Sequence, residues 1–174
     1  KVMRISFIIF TLIYILNVIG IFEVKPAVMT FAYIGGSILL LVPTLLSNFL
    51  KLEHWFVKYV NVVCAAFFIT LLSITLTWHV VAMYVYPIAI ASLYFSKKLN
   101  ITATILTVIG VSIGQVLAYF MQTTLDDNFT DVHGMLIFGV APRALVIIAV
   151  AAIFTMLCSR TASLLSNLLG AEEQ

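Results

Sequence analysis

Six side chains combine a residue type and a position from which ligand chemistry follows: Asn17, Trp78, His79, Gln115, Tyr119 and Arg143. Arg143 is the sharpest of them. It interrupts an apolar run from Met135 to Cys158, and a guanidinium in such a run is costly enough to mark a functional residue by default. Pro142 suits the first turn of a helix, so the pair predicts a last long helix beginning at Pro142. Gly134 to Val140 would then be a dipping or interfacial segment. A cation added to helix-end amide donors favours an anionic ligand or a carboxylate. Two other fates stay open for Arg143: reaching out to lipid phosphates, or pairing with Asp126, Asp127 or Asp131.

Gln115, Tyr119 and Gln122 are spaced i, i+4, i+7 and share one helical face. With the spans oriented as below, they fall in outer half-spans together with Asn17, Thr30, Tyr33, Thr75, Thr77, Trp78, His79, Tyr84 and Tyr86. This polar, aromatic stripe suggests a cavity open to the exterior. An interfacial aromatic belt with interhelical hydrogen bonds is the competing account.

Catalytic chemistry finds no support in the motifs. His54, His79 and His133 form no HExxH or other close His/carboxylate pair, and there is no GxSxG elbow. Cys64 and Cys158 lie in separate apolar runs, far from metal-ligand spacing, so neither a zinc site nor a disulfide framework is expected. Every Asp and Glu lies in a loop or tail, which argues against a proton relay. No catalytic residue, metal or cofactor is predicted, and any kinase or cyclase activity would belong to a part beyond Gln174. The sequons at Asn100 and Asn128 are read as chance matches.

The elements that must position these residues follow from composition. The chain has 174 residues, 63% hydrophobic and 9% charged, against roughly 45–50% and about 25% in ordinary soluble domains. Lipid must therefore cover most of the surface. A net charge of +2 without basic clusters excludes nucleic acid as a partner class. Charge-free stretches run from Ile5 to Phe22, Pro26 to Leu50, Tyr59 to Ser96 and Leu99 to Leu125, with another from about Met135 to Cys158 interrupted by Arg143. One crossing takes ~20 apolar residues, and the 38 residues from Tyr59 to Ser96 make two, broken at Thr77-Trp78-His79. The prediction is an all-α polytopic membrane protein of six transmembrane helices. Membrane strands, by contrast, read as alternating segments of ~10 residues.

Lys and Arg residues collect on cytoplasmic loops. Lys1, Arg4, Lys51, Lys58, Lys97, Lys98 and Arg160 fall at one side and Lys25 at the other, which puts both ends in the cytoplasm. Pro43 and Pro87 are expected to kink the second and fourth spans. Gly110 and Gly114 form a GxxxG pair, read as intramolecular packing.

No residue stops the last helix between Pro142 and Leu169, so it must protrude into the cytoplasm. There Leu157, Thr161, Leu164 and Leu168 follow a/d spacing, broadened by Leu165 and Leu169. The division predicted is a transmembrane domain over 1–158 and the start of a coiled-coil-like helix over 159–174. The start at Lys1 and the stop in helix-favouring sequence read as a piece of a longer protein.

Three stretches carry a family resemblance: Tyr86-Pro-Ile-Ala-Ile-Ala-Ser-Leu-Tyr-Phe-Ser-Lys-Lys98, Phe138-Gly-Val-Ala-Pro-Arg143, and the exit from Arg160 to Gln174. Their layout resembles multi-span N-terminal sensory regions of bacterial signalling proteins of the histidine kinase, diguanylate cyclase or chemoreceptor type. That resemblance implies an inner-membrane location and a homodimer through the exit helix. The expected function is a sensory module that binds a small ligand, anionic if Arg143 meets it, in its outer half and passes a helix shift inward. The alternative is a small-molecule carrier or a substrate-binding membrane subunit of a transporter, which needs no amphipathic exit helix.

Overall fold

The computed structural model describes residues 2–22, 24–49, 54–123 and 131–172, without the side chains of residues 49, 54, 55, 78 and 169–172. The described residues are helical throughout apart from short turns: α1 (Val2–Val18), α2 (Pro26–Phe49), α3 (His54–Thr75), a 3-10 segment (Thr77–Val85), α4 (Tyr86–Ser92) and α5 (Lys97–Met121). A last rod follows without a break, made of α6 (Val132–Gly134), a π segment (Met135–Val140) and α7 (Ala141–Glu172).

Four of these helices are long and apolar enough to cross a bilayer: Pro26–Asn48, Phe56–Thr75, Lys97–Met121 and Val132–Leu168. Val2–Val18 and His79–Ser92 are apolar but shorter, so of the six spans expected from the charge gaps four are matched by helices of crossing length and two by shorter apolar ones. The outward surface is apolar, with Ile8, Phe31, Phe67, Ile109, Phe120 and Leu145 each more than half exposed. Water would not tolerate so large an exposed apolar surface. These features mark a membrane protein.

α3 is the centre of the bundle, flanked by α2 and α5; α1 lies outside α2, and α7 lies outside α5. The close approach of α5 to α3 needs glycine. A Cβ on Gly110 would overlap Thr70 Oγ1, and one on Gly114 would overlap Ser73 Oγ. The GxxxG pair thus packs within the chain, as small residues permit where two backbones meet. Gly36 plays the same part on α2, beneath Phe10 and Phe68.

The prolines behave differently from one another. Pro43 stands inside α2. Pro87 sits in the first turn of α4, where its missing donor is one of the helix-end orphans anyway, so no mid-helix kink arises there. Pro142 stands in the first turn of α7, as expected, but α7 continues a helical rod that already begins at Val132. Gly134 to Val140 is helical, mostly π, and is not a dipping segment. Asp131 caps this rod by accepting from Gly134 N at 2.9 Å.

On the rod, Cys158 is the last buried residue among those whose side chains are described, touching Asn100 and the Ser92 carbonyl. Beyond it Leu164, Leu165 and Leu168 are exposed on a helix that continues to Glu172.

Candidate functional site

The geometry starts with the end of α3. Where an α-helix stops, its last carbonyls lose their i+4 donors, and here neighbouring side chains supply them. Gln115 Nε2 of α5 donates to Ser73 O at 3.2 Å, and Thr123 Oγ1 donates to Ile74 O at 2.7 Å. The same Gln115 nitrogen reaches Tyr84 Oη at 3.2 Å, and Tyr84 donates to Thr77 O at 2.9 Å. The Arg143 guanidinium lies beside that tyrosine. Ser73, Thr77, Tyr84, Gln115 and Arg143 are all buried, Gln115 at 2% and Arg143 at 6% exposure. Gln115 Oε1 and Thr77 Oγ1 have no hydrogen-bond partner among the described residues.

Arg143 has a local task as well. Pro142 lacks an N–H, so it cannot serve the carbonyl four residues back, Phe138 O. Arg143 Nη1 turns back along its own helix and donates to Gly139 O at 2.7 Å and Phe138 O at 3.4 Å. The π segment ends at the same point, with Ala141 N bonded to Leu136 O. The arginine therefore bridges a stretch where proline and π geometry have displaced the regular ladder. Arg143 stands in the first turn of α7, as expected, but the π segment runs directly into that turn, and the side chain is buried within the bundle instead of reaching out to lipid phosphates. Asp131 is engaged as the helix cap, while Asp126 and Asp127 lie outside the described residues.

Beside this cluster is a cavity of about 230 Å³, walled by Val81, Tyr84 and Val85 of the 3-10 segment and by Phe138, Pro142 and Arg143 of the rod, with Val146 and Ile147 behind. In a 3-10 helix residues i and i+3 eclipse, which puts Val81 and Tyr84 on one wall. The cavity is apolar except at one end, where the guanidinium and the phenol meet. Two stretches of non-α backbone thus face each other across it. Such backbone is tolerated at membrane depth only where protein buries it or where it lines a cavity.

Of the six side chains singled out by sequence, the fold brings Gln115 and Arg143 together, with Tyr84 between them. Tyr119, one turn further along α5, is half-buried with its ring against Phe120. His79 is exposed and meets Phe22 edge-on at 4.9 Å. Asn17 closes the turn after α1, its Nδ2 donating to Phe22 O at 2.6 Å and Val24 O at 2.9 Å. The side chain of Trp78 lies outside the described residues. Tyr84 and Thr77 were visible in the sequence as polar residues of the stripe. What singles them out is their proximity to the orphaned carbonyls of α3, which spacing along one chain does not reveal.

Comparison with protein-family models, curated proteins and solved structures found no match for this chain.

Proposed function

We propose that this chain is the membrane-embedded sensory part of a signalling protein, and that a small organic anion entering from the outer side binds in the cavity beside Arg143. One observation carries this reading: the only ionic group on the wall of that cavity, among the described residues, belongs to a rod that runs unbroken to Glu172. A guanidinium offers five donors, enough to meet both oxygens of a carboxylate in place of the two backbone carbonyls it now holds. The apolar walls and the volume of about 230 Å³ suit a compact carboxylate with a hydrocarbon body, below the ~300–1,000 Å³ typical of drug-sized ligands.

Transmission follows from the π segment. An anion that draws Arg143 away from Phe138 O and Gly139 O weakens the tie across that segment. The rod can then relax towards regular α geometry, which turns its lower part by up to about 100°, one α-helical residue at 3.6 per turn. A ligand shifts this equilibrium only by preferring one arrangement. The exposed Leu164, Leu165 and Leu168 are the surface on which a second copy would feel the rotation, as a homodimer through the exit helix.

Six crossings with both ends cytoplasmic fit this scheme. α1 has 17 residues and reaches ~26 Å. The 3-10 segment, nine residues at ~2.0 Å, and α4, seven at ~1.5 Å, together reach ~29 Å. Each approaches the ~30 Å of a bilayer core. Stretching into 3-10 geometry is what lets so short a segment serve as a crossing.

The test is a panel of small carboxylates, butyrate and benzoate among them, added to the protein in nanodiscs with thermal unfolding as the readout. Spin labels at Leu164→Cys report distances between exit helices. The reading expects at least one carboxylate to stabilise the wild type and shift those distances, and Arg143→Gln to lose both effects while still inserting. Unchanged responses in Arg143→Gln would remove the site. Uptake of the carboxylate into proteoliposomes, with immobile exit helices, would favour the carrier.

A further inference from the structure

Polar side chains from four separate elements converge at the end of the bundle opposite Gln115. Arg4 of α1, Thr44 and Ser47 of α2, Asn61 of α3 and Tyr94 of the turn after α4 line a cavity of about 320 Å³. The packing explains the opening. α1 packs on α2, while α4 packs on α3 and α5, so side chains alone bridge α1 to α4. Deeper in the bundle Tyr86 Oη closes the gap by donating to Ser6 Oγ at 2.7 Å. At the end of α4 the chain turns tightly, with Tyr94 N on Ala91 O at 3.2 Å and Phe95 in the left-handed region at φ 49°, a conformation that few non-glycine residues take. The turn holds Tyr94 against α3, where its Oη accepts from Asn61 Nδ2 at 2.6 Å. A tyrosine hydroxyl that accepts one bond still has a proton to donate. Among the described residues neither that proton nor the Arg4 guanidinium has an acceptor, and no carboxylate lines the cavity.

We propose that this cavity binds the head group of one anionic phospholipid of the phosphatidylglycerol type, its phosphate on Arg4 and Tyr94 and its hydroxyls among Asn61, Thr44 and Ser47. The donor set calls for an anion, since a guanidinium and phosphate oxygens form bidentate, charge-assisted hydrogen bonds. With no carboxylate on the wall, the ammonium of a choline or ethanolamine head would face Arg4 as like charge against like. Neutral hydroxyls suit the amide and hydroxyl groups that remain. The rim calls for a lipid: Val2 and Leu93 are exposed apolar residues of the lining, and a soluble phosphate ester would leave them in water. Basic pockets between membrane helices at the cytoplasmic side hold anionic head groups. The positive-inside orientation puts this end there, in the inner leaflet; the leaflet rests on that orientation, and the site does not.

The test is lipid retention in detergent, read by native mass spectrometry, which is blind to orientation. Offered phosphatidylglycerol and phosphatidylcholine with identical acyl chains in equal amounts, the wild type should keep one phosphatidylglycerol with about fivefold preference, equivalent to the ~1 kcal/mol of one basic side chain near a membrane surface. Arg4→Gln should lose the preference. Ser47→Trp, at an exposed position, fills the cavity and should lose it as well, with thermal unfolding in phosphatidylcholine unchanged. Lys97→Gln and Lys98→Gln alter basic residues of the same end that do not line the cavity, and both should keep the preference. Equal retention of the two lipids by the wild type, a preference that survives Arg4→Gln, or one that falls as far in Lys97→Gln and Lys98→Gln overturns the proposal. Displacement of the lipid by an equal concentration of water-soluble glycerophosphate also overturns it and makes the ligand a soluble ester. Carboxylate binding at Arg143 should survive Arg4→Gln, so the two sites fail independently.

Discussion

If Arg143 replaces the donor that Pro142 lacks, then restoring that donor should make the arginine dispensable for stability. Pro142→Ala gives residue 142 an N–H for Phe138 O and relieves a ring that costs ~3 kcal/mol in a regular helix interior. The π segment has already absorbed part of that cost, so the variant should gain about 1 kcal/mol. Arg143→Gln in the wild-type background removes the Nη1 bonds to Phe138 O and Gly139 O, and an unmade buried bond costs ~1–3 kcal/mol. Polar contacts inside membranes measure lower, ~0.6 kcal/mol on average and ~1.7 at most, because the unfolded helix also finds partners. With two acceptors involved, the expected loss is about 1–2 kcal/mol. When Arg143→Gln is combined with Pro142→Ala, the backbone serves Phe138 O, and only Gly139 O is affected. The double-mutant cycle should therefore show a coupling of at least ~0.6 kcal/mol, above the ~0.3–0.5 within which independent sites add. Reversible unfolding in mixed detergent–lipid micelles, followed by circular dichroism, measures all four proteins. Additive effects would refute the capping role assigned to Arg143.

The remaining predictions concern other joints of the bundle. Gly114→Val forces a branched side chain into Ser73 on α3 and should destabilise by ~1–3 kcal/mol, read as a fall in unfolding temperature; an unchanged midpoint would mean that α3 and α5 do not touch there. Tyr84→Phe removes the hydroxyl shared by Gln115 and Thr77 O and should cost ~1 kcal/mol, whereas Tyr119→Phe should stay within ~0.5 kcal/mol. Asn17→Ala frees Phe22 O and Val24 O at a partly exposed turn, so a loss of ~0.5–1.5 kcal/mol and faster proteolysis at that turn are expected. In inside-out vesicles, Leu168→Cys in a background without Cys64 and Cys158 should react with an impermeant maleimide, and His133→Cys should not; the opposite pattern would reverse the orientation.

Sequence by itself determined the class of molecule and much of its packing. Long gaps between charges dictate apolar rods, and hydropathy adds up along one helix without reference to neighbours. Gly110 and Gly114 announced a close helix contact because the absence of a side chain is itself local information. The lengths of the individual helices were less legible, since charge gaps measure apolar length but not rise per residue: Thr77–Val85 adopts 3-10 geometry, which rises further per residue than an α-helix. The site was legible only in part. Arg143 and Gln115 stood out as polar groups in apolar surroundings, and Pro142 marked the start of α7, but proline is as compatible with a free first turn as with one that continues a π segment whose orphaned carbonyl another side chain can reach. Tertiary structure decided that question. Which carbonyls lose their donors, and which neighbours stand close enough to replace them, depends on how the ends of α3 and the 3-10 segment meet α5 and the last rod, and no spacing along a single chain encodes that meeting.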